Sequence, residues 1–182
     1  MTHLSILQNW LFDTVSSERY LFLLSDLKSL FPNMSEGAFK TLLSRAVQKK
    51  ILEKVCRNVF GFNIKKNSNG YLLFHVVAQL RSSDFNYISL ETVLSEEGFI
   101  SQMPLNRIFI MSTARSQVID CRQYGAIEFI HIKSKPNKIL NHLVYDAKAR
   151  LWKADIHLAL KDMKKTKRNT DLLQWEMIHD HV

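Results

Sequence analysis

The chain has little of several residue types that mark specialised classes of protein. Its 182 residues include two cysteines, three prolines and five glycines. A disulfide-stapled secreted domain needs more cysteine, and a collagen-like or disordered chain needs more glycine and proline. A membrane-spanning helix needs about eighteen consecutive apolar residues, which occur nowhere. We therefore expect a globular cytoplasmic protein with no secretion signal and no membrane partner.

Catalytic and metal-binding motifs are also missing. The sequence has no glycine-rich phosphate loop, no GxSxG or HExxH motif and no CxxC pair. Cys56 and Cys121 are interpreted as small core residues in a reducing compartment, because free cysteine is commonly buried. The sequence thus predicts a protein that is not an enzyme, with no cofactor and no metal.

One set of residues leaves an enzymatic alternative open. Asp120, Glu128 and Lys133 fall on consecutive predicted strands and resemble the two acids and lysine of metal-dependent nucleases. Glu128 and Lys133 are five residues apart, however, so on one strand their side chains face opposite sides. A nuclease is therefore the less favoured interpretation. His75 and His131 are interpreted as structural histidines.

Positive charge is what the sequence has in excess, and it is concentrated. The formal net charge is +8, and residues 1–66 carry ten Lys or Arg against five Asp or Glu. Between Lys40 and Lys66 there are eight basic residues and one acid, Glu53. Such a field favours an anionic partner, and its position indicates which part of the chain would bind it.

The first 66 residues have the element order of a winged helix-turn-helix. Helical patterns cover residues 4–15 and 26–31, and Ser35 is a natural N-cap for a third helix. The stretch ILEKVCRNVFGF, residues 51–62, then predicts two short strands folded about a turn at Arg57 and Asn58. A basic helix followed by a basic hairpin is typical of a DNA-binding module.

The outer face of the third helix is the predicted DNA reader. A helix fits the major groove, where short polar and basic side chains reach base edges while lysines hold phosphates. The predicted groove contacts are Lys40, Thr41, Ser44, Arg45 and Gln48. The predicted phosphate or minor-groove contacts from the helix end and the hairpin are Lys49, Lys50, Lys54 and Arg57, with Asn58 in the turn.

A second domain is expected after the polar stretch NIKKNSNG. This places the boundary near residues 63–70, with a winged helix-turn-helix over 1–66 and a small α+β domain over 70–182. The predicted fold class is α+β. In the second domain we predict helices and strands in succession, closed by C-terminal helices: helices at 71–81 and 89–98, strands within 106–113, 117–122 and 126–133, and helices around 148–165 and 171–178.

A second basic cluster, KDMKKTKR, spans Lys161 to Arg168. Positive charge at the C-terminal end of a helix is favoured by the helix dipole, and this is the preferred interpretation. The alternatives are that the cluster extends a nucleic-acid footprint or docks on an acidic partner.

Two stretches resemble the AbiEi-type antitoxins and transcriptional regulators of abortive-infection, or type IV, toxin–antitoxin systems. Residues 42–62, LLSRAVQKKILEKVCRNVFGF, are similar to the family's recognition helix and wing, with Asn58 where the family commonly has glycine. Residues 86–100, NYISLETVLSEEGFI, and the strands that follow resemble the start of the family's C-terminal domain. The similarity covers roughly residues 20–135.

The resemblance implies a non-enzymatic cytoplasmic protein with a role in phage defence. Such a protein binds inverted repeats in the double-stranded DNA of its own operon's promoter and represses it. Its C-terminal domain counteracts a co-encoded nucleotidyltransferase-like toxin, with or without direct contact. The residues alone also leave open a winged helix that serves as a protein-interaction module without DNA specificity.

Overall fold

The computed structural model of the chain describes residues 2–100, 106–133, 136–171 and 173. Helices and strands combine into a mixed α+β structure, which confirms the predicted fold class. The chain divides into two compact units, Met1–Leu80 and Arg81–Val182. No helix within the described ranges is long and apolar enough to cross a membrane.

The first unit combines helices with a small antiparallel sheet. Its elements follow the chain in the order α1 (His3–Thr14), β1 (Leu21–Leu23), α2 (Leu24–Ser29), α3 (Glu36–Gln48), β2 (Glu53–Cys56), β3 (Val59–Gly61), α4 (Ile64–Asn67) and α5 (Leu72–Leu80). The strand order in the sheet is β1-β3-β2, with Phe22 of β1 and Lys54 of β2 on opposite sides of Phe60.

Local sequence signals explain where α3 begins and where the β2–β3 hairpin turns. The Ser35 side chain accepts a hydrogen bond from the Ala38 N–H at 3.3 Å, as expected of an N-cap. At the other end of α3, Lys50 adopts φ 56°, and the chain leaves the helix. Asn58 adopts φ 66° in the hairpin turn, which asparagine tolerates better than most residues. The predicted N-cap at Ser35 and the predicted hairpin turn at Asn58 are both confirmed.

The core of the first unit is built from one face of each helix and from the sheet. The apolar face of α3 packs with α1, and the fully or nearly buried residues are Leu7, Leu11, Phe22, Leu27, Phe31, Phe39, Leu42, Leu43, Ala46, Leu52, Phe60 and Phe62. Each of the leucine and phenylalanine side chains contributes about 1.5–3 kcal/mol when it leaves water. This burial fixes the face that α3 turns inward.

The first unit extends further along the chain than the predicted boundary at residues 63–70. Helix α5 packs against β1, and His75 Nδ1 lies 2.6 Å from the buried Tyr20 hydroxyl. The division between the units therefore falls at Leu80 and Arg81. The polar stretch is a short helix with turns, Asn63 and Asn69 both having positive φ, rather than a linker between units.

The second unit has a six-stranded mixed sheet. Its elements are β4 (Asn86–Ile88), α6 (Leu90–Glu96), β5 (Arg107–Ser112), β6 (Gln117–Asp120), β7 (Ala126–His131), β8 (Leu143–Asp146), β9 (Leu151–Ala154) and α7 (Ile156–Lys165). The strand order is β6-β7-β5-β4-β9-β8, with parallel pairing of β5 with β7 and of β4 with β9. Cys121 and, in the first unit, Cys56 are buried thiols, as predicted.

The long helix predicted over residues 148–165 is wrong in its first half. Residues 151–154 form β9, which pairs with β4 on one side and with β8 on the other. Pairing with two strands outweighs the helical pattern of the sequence. Helix α7 begins only after Asp155, whose side chain caps it by accepting from the Leu158 N–H at 2.7 Å. The helix predicted at 171–178 lies outside the described residues, apart from Asp171 and Leu173.

The polar residues of the YISLE stretch anchor α7. The hydroxyls of Tyr87 and Ser89 each donate to one carboxylate oxygen of the buried Asp162, at 2.8 Å. The fully buried Leu90, the first residue of α6, adopts φ 58°, a conformation that costs a non-glycine residue about 1–2 kcal/mol. The stretch that carries the family resemblance is therefore used to hold the second unit together.

Burial gives this anchor a pH dependence. Burial raises the pKa of Asp162, against the opposing effects of its two hydroxyl donors and of the nearby Lys165 and Lys161. The native state then holds the proton more tightly than the unfolded chain does. Stability is consequently lost as the pH rises from the ordinary aspartate pKa, about 4, through the raised value.

We predict that Asp162→Asn and Asp162→Ala separate charge from hydrogen bonding. Asparagine keeps an acceptor for Tyr87 and Ser89 and cannot ionise, so its free energy of unfolding should rise relative to that of the wild type as the pH rises above about 4. Alanine leaves both hydroxyls without this acceptor and should cost about 1–3 kcal/mol. Urea denaturation at several pH values measures both effects. An asparagine variant whose difference from the wild type is the same at every pH contradicts the assignment.

Candidate nucleic-acid interface

Helix α3 presents one polar face to solvent. Phe39, Leu42, Leu43 and Ala46 are buried on the inner side. The five predicted groove contacts are all exposed on the other side, namely Lys40, Thr41, Ser44, Arg45 and Gln48. The buried and exposed faces of α3 that helical periodicity predicts are thus confirmed. Contact of the exposed face with DNA stays a prediction.

Internal interactions leave this face available to a ligand. Lys40 and Glu36 form an ion pair at 3.8 Å, but both side chains are largely exposed. Such a pair contributes little, so a phosphate can replace Glu36 as the partner of Lys40 at small cost. The Thr41 hydroxyl donates to the Gly37 carbonyl at 3.0 Å, and its oxygen can still accept a hydrogen bond.

The other predicted contacts lie at the end of α3 and on the β2–β3 hairpin. Lys49 and Lys50 are exposed where α3 ends, and Arg57 and Asn58 are exposed in the hairpin turn. Lys54 is half-buried, so it is the least available of the predicted phosphate contacts. The Asn58 carbonyl accepts from the Leu24 N–H at 2.9 Å. This hydrogen bond ties the hairpin turn to the start of α2.

Lys28 in α2 organises the turn that leads into α3, which sequence reasoning missed. Its ammonium donates to the Phe31 carbonyl at 3.0 Å and to the Met34 carbonyl at 2.6 Å. It also lies 5.6 Å from the centre of the Phe39 ring. One side chain therefore joins α2, the turn and the first turn of α3. Nothing in the sequence distinguishes Lys28 from a solvated lysine, because its carbonyl partners are set by the path of the turn.

A depression of about 1060 Å³ runs alongside α3. Its walls come from the start of α1, from the α2–α3 turn, from Thr41 and Arg45 of α3 and from Lys49 just after that helix. The depression is open, and apolar side chains line it together with the cations Arg45 and Lys49. Three predicted contact residues therefore share one concave surface.

The acids of the alternative nuclease site are engaged elsewhere. Glu128 accepts from Arg107 at 3.1 Å and from Arg168 at 2.9 Å. Asp120 accepts from the Arg122 N–H at 2.8 Å and so shapes a turn. Across the described ranges no group of three or more His, Cys, Asp or Glu side chains is placed to hold a metal ion. The nuclease interpretation gains no geometric support.

The two histidines considered in the sequence have partners of their own. His75 is buried against Tyr20. His131 is exposed, and its Nδ1 lies 3.0 Å from the Ala114 carbonyl. Both contacts fit the predicted structural roles.

Comparison with known proteins leaves the family open. No protein-family model matches the chain, and the curated proteins contain no match to it.

We predict that Lys28→Met loosens the α2–α3 turn. The substitution removes two hydrogen bonds to carbonyls and should lower the free energy of unfolding by about 1–2 kcal/mol. Lys65→Met, at an exposed position of α4, is the matched control and should stay within about 0.5 kcal/mol of the wild type. Urea denaturation compares the three proteins. If the two variants are equally stable, Lys28 does not stabilise the α2–α3 turn.

Proposed function

We propose that the first unit is a winged helix-turn-helix that binds double-stranded DNA. Helix α3 enters the major groove, and the β2–β3 hairpin lies along the backbone or in the minor groove. The observation that carries the proposal is an exposed, polar and basic face on a helix whose opposite face is anchored in the core. The order of elements supports it, since α1, α2 and the basic α3 are followed by the basic β2–β3 hairpin.

The proposed contacts divide into readers and holders. The readers lie in the groove and contact base edges, and they are Lys40, Thr41, Ser44, Arg45 and Gln48, with Arg45 able to donate two hydrogen bonds to one guanine. The holders neutralise phosphates and carry no sequence information, and they are Lys49, Lys50, Lys54 and Arg57. Asn58 keeps the hairpin turn tight enough for Arg57 to reach the backbone.

The proposal extends to a regulatory role that rests on the resemblance to AbiEi-type antitoxins. In this role the protein is a non-enzymatic cytoplasmic autorepressor, which binds inverted repeats in its own promoter. Its second unit counteracts a co-encoded nucleotidyltransferase-like toxin. The support is the similarity of residues 42–62 and 86–100 to the family's motifs.

We predict that the full chain binds duplex DNA with strong salt dependence. If about five to seven phosphates are neutralised, the logarithm of the association constant should fall against the logarithm of salt concentration with a slope of roughly −4 to −6. Fluorescence anisotropy with a labelled duplex at several salt concentrations gives the slope. A flat response rules the proposal out and favours the protein-interaction alternative.

Arg45→Ala and Arg57→Ala should differ in what they change. Loss of Arg45 should cost about 1–3 kcal/mol on the specific site and relax the base preference there. Loss of Arg57 should weaken specific and random duplexes alike. The measurement is binding of both variants to the promoter of the gene and to random DNA. If the two variants behave identically on both duplexes, α3 is not the reader.

A further inference from the structure

The exposed face of α7 carries a row of basic side chains, which we call the α7 stripe: His157, Lys161, Lys164 and Lys165. Their spacing of four, three and one residues places them within an arc of about 100° on the helix surface. Lys167 follows just beyond the helix and is also exposed. The one acid of the helix, Asp162, is absent from this face because it is buried.

The orientation of the α7 stripe is fixed from the inner side. Asp162 is held by Tyr87 and Ser89, as described above. Beyond the end of the helix, Arg168 donates to Glu91 and Glu128 and lies 4.4 Å from the centre of the Phe109 ring. The cluster KDMKKTKR thus separates into two inward anchors and outward lysines. Rotation of the helix would break both anchors, so the lysines are held outward together.

An ordinary solvated helix face does not explain this arrangement. Solvated faces commonly mix charges of both signs, whereas cations four residues apart, such as Lys161 and Lys165, repel each other. The helix dipole favours Lys164 and Lys165 in the last turn, but its effect does not reach Lys161. Within the described part of the chain no carboxylate lies within ion-pair distance of Lys161, Lys164 or Lys167.

We propose that the α7 stripe binds the phosphate backbone of duplex DNA without regard to sequence. A row of lysines on one side of a helix complements the closely spaced negative charges of the DNA backbone. A lipid surface fits less well, because Leu158, Leu160 and Met163 of α7 are buried and are not available to insert into a membrane. The choice of DNA over an acidic protein rests on the function proposed for the first unit. The stripe itself is an independent observation.

The experiment compares two triple variants of the full chain. The stripe variant is Lys161→Gln, Lys164→Gln and Lys165→Gln, which removes charge and retains helix propensity. The control variant is Lys133→Gln, Lys138→Gln and Lys148→Gln, which removes three lysines elsewhere in the second unit. Anisotropy with a random-sequence duplex at several salt concentrations gives the salt slope. The stripe variant should have a slope shallower than that of the wild type by about 2 to 3, and the control should change far less.

The outcomes distinguish failure of the α7 proposal from failure of the α3 proposal. A stripe variant with the wild-type slope, or with the slope of the control, overturns the α7 assignment and leaves the first unit's role intact. If the stripe variant has the shallower slope while Arg45→Ala keeps the base preference, the α7 assignment stands and the reader role of α3 fails. A stripe variant that loses binding to anionic lipid vesicles but keeps its DNA affinity also overturns the proposal. Absence of DNA binding by the wild type overturns both.

Discussion

The burial of the apolar face of α3 is the constraint on which the first unit depends. Four side chains, Phe39, Leu42, Leu43 and Ala46, leave water together, and the larger ones contribute about 1.5–3 kcal/mol each. The exposed Lys40–Glu36 pair contributes at most about 1 kcal/mol. Packing therefore determines the orientation of α3, and the polar face is exposed to solvent as a consequence. The hydrogen bonds from Lys28 to the carbonyls of Phe31 and Met34 then fix the turn through which the chain enters α3.

The second unit uses polar groups for the same purpose. Tyr87 and Ser89 hold Asp162, while Glu91 and Glu128 hold Arg168, so both anchors of α7 are buried or half-buried and hydrogen-bonded. Groups of this kind are costly when a partner is removed, and they tolerate few alternative arrangements. In both units, therefore, the contacts on the buried side of a helix determine which of its side chains are exposed.

The features that sequence reasoning recovered are those set by neighbouring residues. The cap at Ser35, the two faces of α3 and the turn at Asn58 each depend on a few adjacent positions, and all three were predictable. The strand at 151–154 was missed because it is stabilised by pairing with β4 and β8, and this pairing depends on the arrangement of the whole sheet. The first unit's extension through α5 was missed because it depends on the contact between Tyr20 and His75, which are 55 positions apart.

The inward direction of Arg168 could not be predicted for the same reason, since its partners Glu91 and Glu128 lie far away in the sequence. The proposed DNA-contacting surface of the first unit consists of α3 and the β2–β3 hairpin. The most direct measurement is amide hydrogen exchange of the full chain with and without a duplex carrying its promoter sequence. We predict protection concentrated in Glu36–Gln48 and at the hairpin turn around Arg57. Protection that leaves these residues unchanged and appears elsewhere in the first unit would contradict the claim.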